Sequence, residues 1–235
     1  MIIKPYKAVI FDIDGVLIPT EGLQYQAWVE ALKELYRINF LPDTYKKGMV
    51  GNTHENIAGK IAEIFPQVKV DELLTLREKI IDELVQTADY ETMPYAEYAI
   101  NYFGINQVPI AFATGAVSEE SAIKLSRSGL DKLVEIHNIP VIGKDMLDKG
   151  RGKPAPDSYL VAADRLGLKP DKLILTFEDT PAGVESALAA GTTCFAIPNE
   201  WTQNSVFPEE AIKYNNLEDA IKAVHKDYSF HPSLE

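Results

Sequence analysis

The stretch Lys7-Ala8-Val9-Ile10-Phe11-Asp12-Ile13-Asp14-Gly15-Val16-Leu17 constrains this chain more than any other. Ala8 to Phe11 has the length and β-branched content of a buried strand. It breaks into two carboxylates one residue apart and then Gly15, where the backbone can turn sharply. Carboxylates at the end of a buried strand are costly unless paired, and a divalent cation is their usual partner. In a strand-first α/β protein, the carboxyl end of such a strand is where ligands bind. The same string also suits an ordinary strand followed by an Asp-Gly turn, so the rest of the chain decides between the two.

Downstream, Tyr25, Trp28, Leu32 and Leu35 recur at helical spacing, an aromatic stripe that more often marks core packing than a pocket. Residues 42–53 read as a loop broken by Gly48, Gly51 and Asn52. Ile57, Ile61 and Ile64 suggest a second helix, closed by Pro66. Val70, Leu73, Leu74, Arg77, Ile80, Ile81 and Leu84 suggest a third. From about residue 22 to 92 no strand signal appears. The expected division is a helical insert over 22–92 and an α/β core built from 1–21 and 93–235.

The second part of the core alternates. Helices are expected over 95–103, 117–128, 156–166, 181–190 and 217–224, and strands over 109–113, 173–177 and 193–197. A short strand broken by Pro140 is expected within 134–142. Alternation of this kind implies a parallel sheet with right-handed crossovers. The tail after His225 reads as poorly anchored.

Composition narrows the function. A net charge of −12 argues against nonspecific nucleic-acid binding and against anionic membrane surfaces. It also repels a phosphorylated substrate at long range, which a metal ion and a few local cations must offset. The single cysteine, Cys194, excludes an internal disulfide and a multi-cysteine metal cluster, and its apolar surroundings suit a buried inert thiol. The N-terminal residues 1–5 are too short for a signal sequence before the first strand, and no apolar run reaches the length of a membrane span. The expected setting is the cytoplasm.

Three strands end in complementary polar groups: Asp12 and Asp14, then Thr114-Gly115, then Glu178-Asp179. In a parallel sheet these ends share one edge. Two acidic ends form an oxygen cage suited to a hard cation such as Mg²⁺. Thr114 offers a hydroxyl and Gly115 an N–H near a helix start, both able to hold an anion. Lys153, stiffened by flanking prolines ahead of a helix, supplies a fixed positive charge. Together these groups suit phosphoryl transfer.

The motifs FDIDGVL, ATG, GKPAPD and FEDTPAGV stand in the order found in the haloacid dehalogenase superfamily. The chain resembles its phosphatase and β-phosphoglucomutase-type members over about residues 7–197. The resemblance implies a Rossmann-like parallel sheet with helices on both faces and an inserted all-helical cap. It implies Asp12 as the nucleophile that forms an aspartyl-phosphate and Asp14 as general acid and base. Dehalogenases of the superfamily lack an aspartate at the second position, so Asp14 favours phosphoryl chemistry. Thr114, Gly115 and Lys153 match the phosphate-binding groups. Asp12, Asp14 (through its main-chain carbonyl), Asp179 and Glu178 match the Mg²⁺ ligands.

Mutase-type relatives commonly carry a histidine early in the first cap helix and an arginine in the cap loop for a second phosphate. Here those positions read as Gln24 and His54, so hydrolysis of a small-molecule phosphate ester is the leading expectation. A hexose-phosphate mutase and a non-catalytic binding protein of this fold are the alternatives. His54 can contact the leaving group, although a helix N-terminus capped by Thr53 accounts for the same residues. Lys144, Asp145, Lys149 and Arg151 read as a solvated charged loop, and His137, His225 and His231 as structural or solvated. Trp201 follows the last strand, where it can flank the site. A monomer and a homodimer are equally compatible with the sequence.

Overall fold

Alternating side chains send β1 (Ala8–Phe11) into two apolar layers at once, which is why every one of its residues is buried. In the computed structural model, which describes residues 6–147 and 151–229, Ala8 and Ile10 join Ala111, Tyr159, Val184 and Cys194 in one apolar layer. On the other face Phe11 stacks on Phe177 with ring centroids 4.6 Å apart and meets Phe103 edge-on. Lys149, His231 and residues 1–5 lie outside the described residues.

Five further strands flank β1: β2 (Ile110–Ala113), β3 (Val141–Ile142), β4 (Ile174–Glu178), β5 (Thr193–Ala196) and β6 (Ile212–Lys213). They form one parallel sheet in the order β3-β2-β1-β4-β5-β6. Chain progress runs outward from β1 through β2 to β3, then returns to place β4 on the other side of β1. The direction of winding therefore reverses between β1 and β4, and an open crevice forms beyond their carboxyl ends. Register puts Phe11 level with both Phe112 and Phe177. Asp12, Thr114 and Glu178 thus emerge on one edge.

The chain divides into two compact units. The α/β unit takes residues 1–19, 90–199 and 206–235. Its sheet is flanked by α5 (Ala96–Ile105), α6 (Ser118–Ser128), α7 (Asp131–His137), α8 (Asp157–Arg165), α9 (Pro181–Ala189) and α10 (Leu217–Ser229). The second unit, residues 20–89 and 200–205, is helical: α1 (Glu21–Tyr36), α2 (Pro42–Lys46), α3 (His54–Ile64) and α4 (Val70–Thr87). Its core gathers Trp28, Leu32, Phe40, Tyr45, Ile57, Ile61 and Leu73, so the aromatic stripe is packing. Trp201 belongs to this unit too, tilted against Tyr25 at 5.4 Å with the Lys46 ammonium 4.5 Å above its ring.

The structure corrects two local expectations. Residues 42–53 are not all loop, because Pro42 opens α2 with its φ already helical and Tyr45 buries itself as the anchor. Within 134–142 the expected short strand is present but lies wholly after Pro140, and residues 134–137 are helical. They continue α7, which buries none of its own residues and so leaves no apolar period to read. Asn138 ends α7 in a left-handed conformation at φ 50°, and only Val141–Ile142 pair as strand. Sequence patterning also missed β6, an exposed two-residue edge.

Candidate active site

Where β1 stops, the Asp12 N–H still continues the ladder to the Phe177 carbonyl at 3.0 Å, so the Asp12 carboxylate is fixed at the mouth of the crevice. Asp12 is buried, as are Glu178 and Asp179. Lys153, in the segment leading to α8, reaches in and donates to Asp12 Oδ1, to Glu178 Oε1 at 2.6 Å and to the Ala113 carbonyl at 3.3 Å. Tyr159 donates to the same Glu178 oxygen from α8. Asp179 Oδ2 accepts from Asn199 Nδ2 at 2.8 Å, and that amide also points toward the Gly15 carbonyl at 3.3 Å.

Two glycines make room for this cluster. Gly15 turns at φ +83°, and a Cβ there would collide with the Asp179 carboxylate. A Cβ on Gly183, in the first turn of α9, would collide with the Glu178 carboxylate. Neither position admits a side chain without moving an acidic group.

The electrostatics ask for a cation. One carboxylate oxygen each from Asp12, Glu178 and Asp179 lies within 4.8 Å of the others, while Lys153 is the ammonium bonded among them. Three buried carboxylates brought this close are costly to keep ionised, and their donors are hard oxygens of the kind Mg²⁺ prefers. Burial pushes the Asp12 carboxyl up to about 8, with Lys153 pulling against it and Glu178 and Asp14 adding to it. Burial works against the Lys153 ammonium, but Asp12 and Glu178 outweigh it and hold Lys153 above the usual lysine range.

Asp14 stands beside this cluster with both oxygens engaged. Thr114 Oγ1 donates to Oδ2 at 2.8 Å and Lys124 Nζ donates to Oδ1 at 2.6 Å. The Thr114 hydroxyl accepts in turn from the Ala116 N–H at 3.1 Å. Gly115 is exposed at the turn into α6, with open space where a Cβ would project.

His54 belongs to the helical unit, as the first residue of α3. Thr53 does cap that helix, its hydroxyl accepting from the Asn56 N–H at 3.3 Å. His54 Nδ1 is 3.2 Å from a guanidinium nitrogen of Arg77, which also donates to Gln24 and lies over the Trp28 ring. Arg77 is buried, so the arginine near Gln24 and His54 comes from α4. His137 bonds Asn101 at 3.1 Å and is structural.

Sequence reasoning missed Lys124, Tyr159, Asn199 and the placement of Arg77. Asn199 was within reach of the strand-end rule, since it closes the loop just after β5. Lys124 follows Glu120 at helical i,i+4 spacing, a pair that reads as an ordinary surface salt bridge until its burial is seen.

Comparisons with known proteins give the family and the fold. The family model described as "Haloacid dehalogenase-like hydrolase" matches residues 9–197. A (DL)-glycerol-3-phosphatase of Arabidopsis thaliana is 33% identical over 197 residues, 81% of this chain and 79% of the relative. A probable pseudouridine-5'-phosphatase of Drosophila melanogaster is 30% identical over 191 residues, 81% and 80% of the two chains. Among solved structures, a haloacid dehalogenase-like protein of unknown function from Agrobacterium tumefaciens superposes with a TM-score of 0.79 at 21% identity. The match covers 94% of this chain and 99% of that one. A putative β-phosphoglucomutase from Thermotoga maritima gives 0.69 at 22% identity with the same coverage, a likeness of fold.

Proposed function

The chain belongs to the haloacid dehalogenase-like hydrolases, and we propose that it cleaves a small-molecule phosphate monoester through a phosphorylated Asp12. It is a phosphoric monoester hydrolase by that family and by its phosphatase relatives. The observation that carries the mechanism is Lys153 bonded to both Asp12 and Glu178 where the winding of the sheet reverses. The arrangement supports a nucleophile held in place by a fixed ammonium inside a low-dielectric site.

In this reading an Asp12 oxygen attacks phosphorus as the bond from phosphorus to the ester oxygen breaks. Asp14 gives its proton to the departing oxygen, releasing the alcohol. Asp14 then takes a proton from water as the water oxygen bonds to phosphorus. The Asp12–phosphorus bond breaks and inorganic phosphate leaves. Thr114, the Gly115 N–H and Lys153 hold the phosphoryl oxygens. Asp12, Glu178 and Asp179, with the Asp14 carbonyl, would hold a Mg²⁺, which supplies neutralisation of charge on the transferring group. The helical unit carries substrate choice.

Hydrolysis of p-nitrophenyl phosphate with Mg²⁺ and with chelator tests this function. Metal-dependent release that disappears in Asp12→Asn supports it. Full activity in that variant, or release indifferent to chelator, contradicts it. Conversion of a sugar 1-phosphate to the 6-phosphate with a bisphosphate primer, in place of phosphate release, would favour the mutase alternative.

A further inference from the structure

Lys124 is buried, yet the chemistry above makes no use of it. An ammonium out of water is stable only when paired, and Lys124 has two carboxylates: Asp14 Oδ1 and Glu120 Oε1, each at 2.6 Å. Glu120 sits one turn earlier on the same helix, α6, so it fixes where the ammonium ends.

We propose that Lys124, anchored by Glu120, is a positioning residue that sets the orientation of Asp14 and decides which of its oxygens handles the proton. Lys124 Nζ donates to Asp14 Oδ1 from a buried position, and this charge-assisted bond holds that oxygen against α6. The other oxygen, Oδ2, is left facing Thr114. The Thr114 hydroxyl can donate to the ionised carboxylate and accept from the protonated acid. One oxygen is thus held by α6 while the other exchanges a proton with the leaving group and then with water. Lys124 itself neither gains nor loses a proton in this scheme.

The inference rests on the phosphatase reading, and leaving-group dependence separates the two. For each ester, kcat/KM reports transfer to Asp12, the step in which the alcohol departs. A p-nitrophenolate leaves without a proton, whereas an alkoxide such as that of glycerol needs one. Lys124→Met should lower kcat/KM for glycerol phosphate about tenfold more than for p-nitrophenyl phosphate. Lys124→Arg should recover part of the difference. Glu120→Gln, at a partly exposed position that tolerates change, should show the same selective loss in smaller measure and serves where Lys124→Met fails to fold. Equal losses on both esters in the folded variants would overturn the positioning role. A wild-type protein inert toward every phosphate ester would instead overturn the phosphatase reading, and the inference with it.

Discussion

The two units bury polar groups in opposite ways. In the α/β unit, Asp12 and Glu178 converge on Lys153 where the sheet's winding reverses, and Asp179 stands with them in one buried acidic cluster. In the helical unit, polar side chains are tied to one another or to the main chain: the buried Arg77 to Gln24 and His54, the buried Tyr45 to Glu21 at 2.5 Å, and Tyr25 to the Phe40 carbonyl at 2.6 Å. A cluster of buried carboxylates is suited to a cation, whereas side chains bonded to one another make a scaffold. The proposed chemistry therefore draws on the first unit, in a form that can be read from residue types. The second has architecture whose partner those types do not name.

The contrast is broken most severely at Gly183. Gly183→Ala places a methyl group against the Glu178 carboxylate, which Lys153 and Tyr159 hold in place. Turnover should fall by about a hundredfold, in the range of a misplaced catalytic constellation. Thermal unfolding should show a much smaller relative change. An active Gly183→Ala would mean that Glu178 is not needed where it stands.

In the helical unit the effect should fall on stability. Arg77→Ala removes a buried side chain and leaves Gln24 and His54 without their donor, a loss of about 3 kcal/mol in denaturant unfolding. A drop under about 0.5 kcal/mol would show that the cluster is not what rigidifies this unit. A smaller loss, about 1 kcal/mol, is expected for Thr53→Ala, which strips the α3 cap. An unchanged melting curve would reject that assignment.

The least effect concerns Cys194. Burial pushes its thiol up to about 12, so at neutral pH it stays protonated and out of reach. Alkylating reagents should leave it unmodified in the folded protein and label it after denaturation. Rapid native labelling would place it outside the core.

Legibility in the sequence followed the same division. β1, β2, β4 and β5 were readable because strands buried on both faces are unbroken apolar runs, and their polar ends named Asp12, Asp14, Thr114, Glu178 and Asp179 directly. The short α7 was not readable, because a helix without a buried face has no apolar period. Lys124 was hidden for another reason. Burial of a lysine depends on what the fold sets beside it, here Asp14, 110 residues away in the chain. Arg77 lay within an apolar helical stripe, but nothing local says that such a position will meet Gln24, 53 residues earlier.

The central claim is the covalent use of Asp12. Acid-quenching the enzyme during turnover of a phosphate ester, then reducing with borohydride and sequencing by mass spectrometry, would convert a phosphorylated aspartate to homoserine. The account predicts homoserine at position 12 in the wild-type protein and none in Asp12→Asn. Unmodified Asp12 in enzyme quenched while turning over, or the modification at another carboxylate, would contradict it.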